Sequence, residues 1–439
     1  MPVGDSRFSG PAPGGRGPSL RWATTSFGIA VLVAVAYFLA ALISYAFKFE
    51  PSGVVVIWAP AGVMLALLVL MPYRSWPAAA IGGFAGNFLA DFVSGHLVVI
   101  SLAGATANIL ESVLAAWLVV HFCRRPVHLR TLRDVLGLVV LAAGLANAVT
   151  ALLGAAVLVV GSTFTFAGGW FAWWIGDGVG MLVVAPLILA WTGVAQAPPK
   201  LRWPRLVEGA VLLGALLLVA VLVIRTESGA ERILHPSPYM TFPLLLWAAL
   251  RFGPAGAATA TFAVAAVIAE QASRGLGAFV IAGTRPDQQV VEAYVYLVLA
   301  ASTALIPAAV LAERTRLTRQ LRKNEEQYRQ LFERNPHPMW IFDPGTLAFL
   351  AVNDAAVAQY GYDREEFASR TIRDIRPTVS IFWECTSCSC SRRRSVTSRA
   401  ATTFARRPCQ SISWEVISTS KTVPSFFRCR QVPAMSRPW

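Results

Sequence analysis

"GGWFAWWIGDGVGMLVVAP", residues 168–186, sets a single aspartate among apolar and small residues. Trp170, Trp173 and Trp174 precede Asp177, and Gly176, Gly178 and Gly180 crowd it. The run around it is long enough to cross a bilayer as helix, which takes about 20 residues. An ionisable side chain at that depth is costly and is expected to face the protein interior. Trp170, Trp173, Asp177 and Met181 recur at helical spacing on one face. Gly176 and Gly180 form a small-xxx-small pair that lets another helix come close.

The whole chain has this character. Of its 439 residues 55% are hydrophobic and 14% charged, whereas an ordinary soluble domain is about a quarter charged. Apolar blocks fall at 27–47, 54–71, 76–93, 97–121, 134–160, 167–192, 206–224, 239–251, 255–272 and 291–311. The expected fold is an all-α polytopic membrane helix bundle of about ten spans, the eighth short enough to be re-entrant. Residues 1–26 are rich in Gly and Pro and are expected to be disordered. The run from Phe27 to Phe47 exceeds a signal-peptide core and is read as a retained span.

The net charge of +14 points to membrane orientation rather than to nucleic acid. With ten spans, twelve Lys and Arg precede span 1 or occupy loops of one side, and five occupy the other. Cationic loops stay in the cytoplasm. Both termini are therefore expected there, with the chain in the cell membrane.

On this topology Asp177 lies roughly 15 Å deep, near the bilayer midplane. Other polar residues occupy the same slab. Asn87 and Asp91 are four apart on one face of span 3, and Asn108 and Glu111 three apart on one face of span 4. Asn147 sits within span 5. One reading is a polar pocket that binds a small molecule or cation, with Trp173 and Trp174 beside it and Trp170 in an outer aromatic belt. The other is hydrogen bonding between helices, with Asn108 a partner of Asp177.

Three blocks carry a family resemblance: "IWAPAGVMLALLVLMPYRSWPAAAIGGFAGNFLAD" (57–91), "WWIGDGVGMLVVAPLILAW" (173–191) and "FPLLLWAALRFGPAGAA" (242–258). Together they resemble the bacterial membrane-associated sensor domain known as MASE, of its first type, over roughly 27–311. The resemblance implies an integral-membrane sensory input module upstream of a histidine kinase or a cyclic-di-GMP cyclase or phosphodiesterase.

Beyond the last span, Leu317, Leu321, Tyr328 and Leu331 share one side of a charged helix. Residues 312–333 are expected to form a cytoplasmic helical linker, a parallel coiled coil able to pair two copies. "NPHPMW", "VNDAA" and "YGYDREEF" (335–367) then resemble the first half of a PAS domain, placed at 334–377 as an incomplete α+β fragment. "PMWIFD" and "LAFLAVND" read as strands around a Pro-Gly turn. Asp363, with Glu366 three residues on, reads as a helix N-cap.

Composition breaks at Thr378. Residues 378–439 contain no Leu, Gly, Asp or Asn, but twelve Ser, nine Arg and five Cys. This stretch reads as out-of-frame and disordered, in place of the remaining PAS strands and an output domain. Cys385, Cys388 and Cys390 have the look of zinc ligands but lack a fourth partner. No catalytic signature, metal set or cofactor site is recognised, so the chain is not expected to be an enzyme. A secondary transporter is the alternative, since central acids and a broken span occur in transporters. The coiled coil and PAS half argue against it.

Overall fold

The computed structural model describes residues 25–49, 54–123, 125–161, 165–196, 203–224, 237–275, 279, 286–375, 381–384 and 413–416. The expectations for the N-terminal segment and for Cys385, Cys388 and Cys390 lie outside the described residues. The chain divides into two units, Met1–Thr318 and Arg319–Trp439.

The first unit is helical. Helix α1 (Ser26–Ala46) starts at Thr25, whose hydroxyl accepts the Gly28 N–H at 3.1 Å. A short antiparallel pair, β1 (Lys48–Phe49) and β2 (Val54–Val55), leads to α2 (Ala59–Leu70). Then come α3 (Trp76–Val93), α4 (Val98–Cys123) and α5 (Leu132–Leu136). A π-helical stretch, Gly137–Ala146, joins α5 to α6 (Asn147–Gly161). After it follow α7 (Phe166–Gln196), α8 (Trp203–Ile224), α9 (Phe242–Ser273) and α10 (Pro286–Glu333).

Seven segments are long and apolar enough to cross a membrane: Ser26–Ala46, Val98–Cys123, Leu132–Val160, Phe166–Ala195, Trp203–Val223, Pro238–Ser273 and Val291–Glu333. Each of the ten predicted spans contains helix, but three divisions differ. The span expected at 54–71 is α2, of 12 residues. Its rise of about 18 Å is short of a hydrocarbon core of about 30 Å. The helix survives because protein surrounds it: Ala61, Met64, Leu65, Ala66, Leu68 and Val69 are all buried. Its ends are also satisfied by protein. The Ala59 N–H donates to the Ser44 hydroxyl at 3.0 Å, and the Leu68 carbonyl accepts the Trp76 indole at 2.9 Å. Unpaired backbone groups would not be tolerated in lipid.

Helix α3 has 18 residues, but its glycines, Asn87 and Asp91 keep it out of the seven. The spans expected at 239–251 and 255–272 form one element, interrupted at Gly253 (φ 65°, ψ −155°) before Pro254.

Backbone approach fixes the core of this unit. A Cβ on Gly180 of α7 would stand 2.0 Å from the Trp58 carbonyl oxygen, and one on Gly62 of α2 would stand 2.3 Å from the Gly180 carbonyl oxygen. The small residues around Asp177 thus admit α2 and the turn before it. Gly176 faces a different helix: the Tyr294 hydroxyl of α10 lies 3.2 Å from where its Cβ would be.

In the second unit, β3 (Trp340–Phe342) pairs antiparallel with β4 (Phe349–Val352), as the two strand patterns require. The Asp343 carboxylate accepts the Gly345 N–H at 2.6 Å and the Thr346 N–H at 3.2 Å, which shapes the turn. Helices α11 (Asp354–Tyr360), α12 (Arg364–Ala368) and α13 (Ile372–Ile375) follow. Asp363 and Glu366 form the expected capping box at the start of α12. Phe349, Val352, Ala356, Phe367 and Ile372 make the core. In the stretch expected to be disordered, β5 (Ile381–Glu384) and β6 (Ser413–Val416) pair antiparallel, which the reading of 378–439 did not include.

Candidate functional site

Tyr37 on α1, Asn87 and Asp91 on α3, Asn108 and Glu111 on α4 and Asp177 on α7 are all buried. They form two adjoining groups.

The first is a chain of hydrogen bonds. The Asn87 Oδ1 accepts both the Tyr37 hydroxyl at 2.8 Å and the Asn108 Nδ2 at 2.7 Å. Its own Nδ2 donates to Asp91 Oδ2 at 2.7 Å, and the Tyr45 hydroxyl donates to Asp91 Oδ1 at 2.5 Å. The i, i+4 pairing of Asn87 with Asp91 is as the helical spacing predicts. Tyr45 in turn packs against Trp58 and His96, with ring centroids 5.2 and 5.6 Å away, and Lys48 Nζ sits 4.5 Å above its ring.

The second is the acid pair. The Glu111 and Asp177 carboxyls lie side by side across the α4–α7 boundary, close enough to interact. The Trp173 indole donates to Glu111 Oε2 at 3.3 Å. Glu111 Oε1 and Asp177 Oδ2 are buried without a donor among the described residues, and so is Asn108 Oδ1. An ionised carboxylate only accepts. Two adjacent buried carboxyls do not both carry charge without a compensating partner. The open oxygens are satisfied by a donor or positive charge between the two groups: a shared proton, a bound water or a cation.

The seven sequence-derived residues separate accordingly. Asp177, Glu111 and Trp173 meet directly, while Asn87, Asp91 and Asn108 form the adjoining chain. Asn108 bonds Asn87 rather than Asp177, a correction to the predicted partner. Trp174 does not reach the acids. Its indole donates to the Ala143 and Gly144 carbonyls at 3.1 Å each, both in the π-helical stretch, and its own carbonyl accepts Asn147 Nδ2 at 2.6 Å. It packs α7 on the π-helical turn. Trp170, expected in an interfacial belt, donates to the Ala148 carbonyl at 2.8 Å.

Sequence reading missed Tyr37, Tyr45 and Tyr294. Tyr37 and Tyr45 are eight residues apart on one face of an otherwise apolar span. A buried phenol needs a hydrogen-bond partner, so their spacing was the available signal. Tyr294 donates to the Val55 carbonyl at 3.0 Å.

With this geometry in view, the comparison with known families is direct. The MASE1 model matches residues 29–315. The chain belongs to the MASE1 family. A PAS-domain model matches residues 326–395 and so runs past the compositional break at Thr378. No curated protein and no solved structure matches the chain. MASE1 and PAS are sensory rather than catalytic domains, and their succession makes the chain a membrane sensory input module. In this MASE1 unit Asp177 and Trp173 fall in the block at 173–191 and Asn87 and Asp91 in the block at 57–91, while Glu111 and Asn108 on α4 and Tyr37 and Tyr45 on α1 lie outside the quoted blocks.

Proposed function

We propose that the MASE1 unit senses a proton or small cation at the Glu111–Asp177 pair and relays its occupancy through α10 to the PAS unit. The observation that carries this reading is the pair itself: two buried acceptor oxygens without a donor, on different helices. Occupancy by a positive charge draws α4 and α7 together, and its loss leaves two acids in repulsion. Either state biases helix packing, which is what a sensor needs.

Helix α10 suits the relay. Its Tyr294 lies against Gly176, next to Asp177, and the same helix runs on to Glu333. Leu317, Leu321, Tyr328 and Leu331 are exposed on it, an apolar stripe for a second copy. The output then belongs to a histidine kinase or a cyclic-di-GMP enzyme acting downstream of PAS, with both termini in the cytoplasm of a bacterial cell.

The test uses residues 1–333 fused to an intact PAS and output domain. Asp177→Asn keeps the side-chain size and gives Glu111 a permanent amide donor. Expression and melting temperature are expected to stay at the parent's values, while output becomes insensitive to external pH and to Na⁺ or K⁺. A fusion whose Asn variant still follows those ions as the parent does would overturn the reading.

A further inference from the structure

An open apolar trough of about 680 Å³ lies apart from the acid pair, between the start of α3, the second half of α4 and α6. Tyr73, Trp76, Leu110, Leu114, Trp117 and Leu153 line it. Trp117 and Leu153 are 46% and 50% exposed, unlike the buried residues of the bundle. The sensing reading makes no use of this surface.

A cation stands beside it. The Arg125 guanidinium lies 4.7 Å from the Tyr73 ring centroid and 5.9 Å from that of Trp76, both of them trough residues. One Nη donates to the Leu68 carbonyl at 3.2 Å, while the buried Nε has no acceptor. Among the described residues no carboxylate pairs with Arg125. An aromatic-flanked guanidinium without a counter-ion, next to an apolar furrow in a membrane-spanning bundle, matches a lipid with an anionic head and an apolar tail.

We propose that the trough holds one acyl chain of an anionic phospholipid whose phosphate meets Arg125. Tyr73 and Trp76 stand at the polar end, where amphipathic rings settle at the headgroup level. Basic pockets between membrane helices bind such headgroups. Along α4 the trough runs from Trp117 to Leu110, about 10 Å of helix rise, in line with the upper part of an acyl chain. Its volume falls in the range of roughly 300–1,000 Å³ typical of ligand sites. The inference rests only on the membrane embedding and is independent of what the acid pair senses.

The experiment is native mass spectrometry of the full delipidated chain titrated with phosphatidylglycerol or phosphatidylcholine. The chain is expected to retain one phosphatidylglycerol in preference to phosphatidylcholine. Arg125→Gln is expected to weaken that preference about fivefold, the effect of one basic residue near an anionic lipid. Leu153→Trp, which fills the trough and leaves Arg125 in place, is expected to reduce retention of both lipids. Inorganic phosphate at millimolar concentration should leave the bound lipid in place, because it lacks the tail. Equal retention of the two lipids by the parent chain would overturn the proposal. So would an unchanged preference in a folded Arg125→Gln chain, unchanged retention in Leu153→Trp, or displacement by inorganic phosphate. Melting temperatures of both variants establish folding. If Arg125→Gln does not fold, the parent's selectivity and the Leu153→Trp result decide.

Discussion

Trp173 joins the two acids to the rest of the bundle. Its indole holds Glu111, and its ring lies on Gly154 so closely that a Cβ there would stand 2.1 Å from a ring carbon. Gly154→Val must therefore displace the ring and break the contact with Glu111. It is expected to alter the ion response of the output fusion in the same sense as Trp173→Phe, which removes the donor alone. Ion titration of the two variants side by side checks this, and a normal response in Gly154→Val would show that the indole is not needed. Asn353 of the second unit has a comparable role. It is fully buried, accepts the Met339 and Ala356 N–H groups at 2.8 and 2.9 Å, and donates to the Phe332, Asn335 and His337 carbonyls at 3.0, 3.3 and 2.9 Å. Asn353→Ala orphans these groups, at about 1–3 kcal/mol for each that stays buried and unpaired. Amide exchange between 337 and 357 in the full chain is expected to rise by at least tenfold. Unchanged protection would mean that water replaces the amide without loss.

At the scale of elements, α2 and α10 make the clearest forecasts. α2 and the turn before it meet α7 backbone to backbone, so Gly180→Val places a branched Cβ against the Trp58 carbonyl. Overpacking a core costs typically ~1–3 kcal/mol, and without relaxation of the turn the cost here lies at the upper end. A lowered melting temperature and altered output are expected. A parental melting curve would show that α2 shifts freely. On α10, Leu321 and Leu331 are each 70% exposed. Replacing both by Glu should leave the fold intact and reduce self-association, read by cross-linking between copies in membranes. Undiminished cross-linking would place the dimer contact elsewhere. At the end of the same helix Glu333 accepts Arg364 Nη2 at 2.7 Å, and Asp354 accepts it at 2.6 Å. The two carboxylates, Glu333 first, hold the guanidinium pKa above its ordinary value. Arg364 and Asp354 are exposed and Glu333 half-buried, so the bridge ties the end of α10 to α11 and α12 while adding little to stability.

For the whole molecule, the topology is the open forecast. The ten-span count, which takes α2 and each half of α9 as a crossing, requires reporter fusions after Arg130 and Lys200 to report cytoplasm and fusions near Ser94 and Ser228 periplasm; an α2 that does not cross reverses all four signals. A periplasmic signal at Arg130 would overturn the ten-span count. Composition and periodicity by themselves determined that this is a multi-pass helical chain followed by a segment with two strands, and the resemblance of its motifs identified that segment as PAS. Apolar runs of bilayer length and the alternation of strand residues are local properties, and burial enforces them wherever the chain goes. The same local logic made the acidic and Asn positions legible, because a polar group in an apolar run must find a partner. Which partner it finds is not local. Only tertiary packing decided that Asp177 meets Glu111 rather than Asn108, and that Tyr37 and Tyr45 complete the polar chain. It also turned a predicted span into a buried 12-residue helix, because the protein around α2 satisfies the backbone ends that lipid would have left bare.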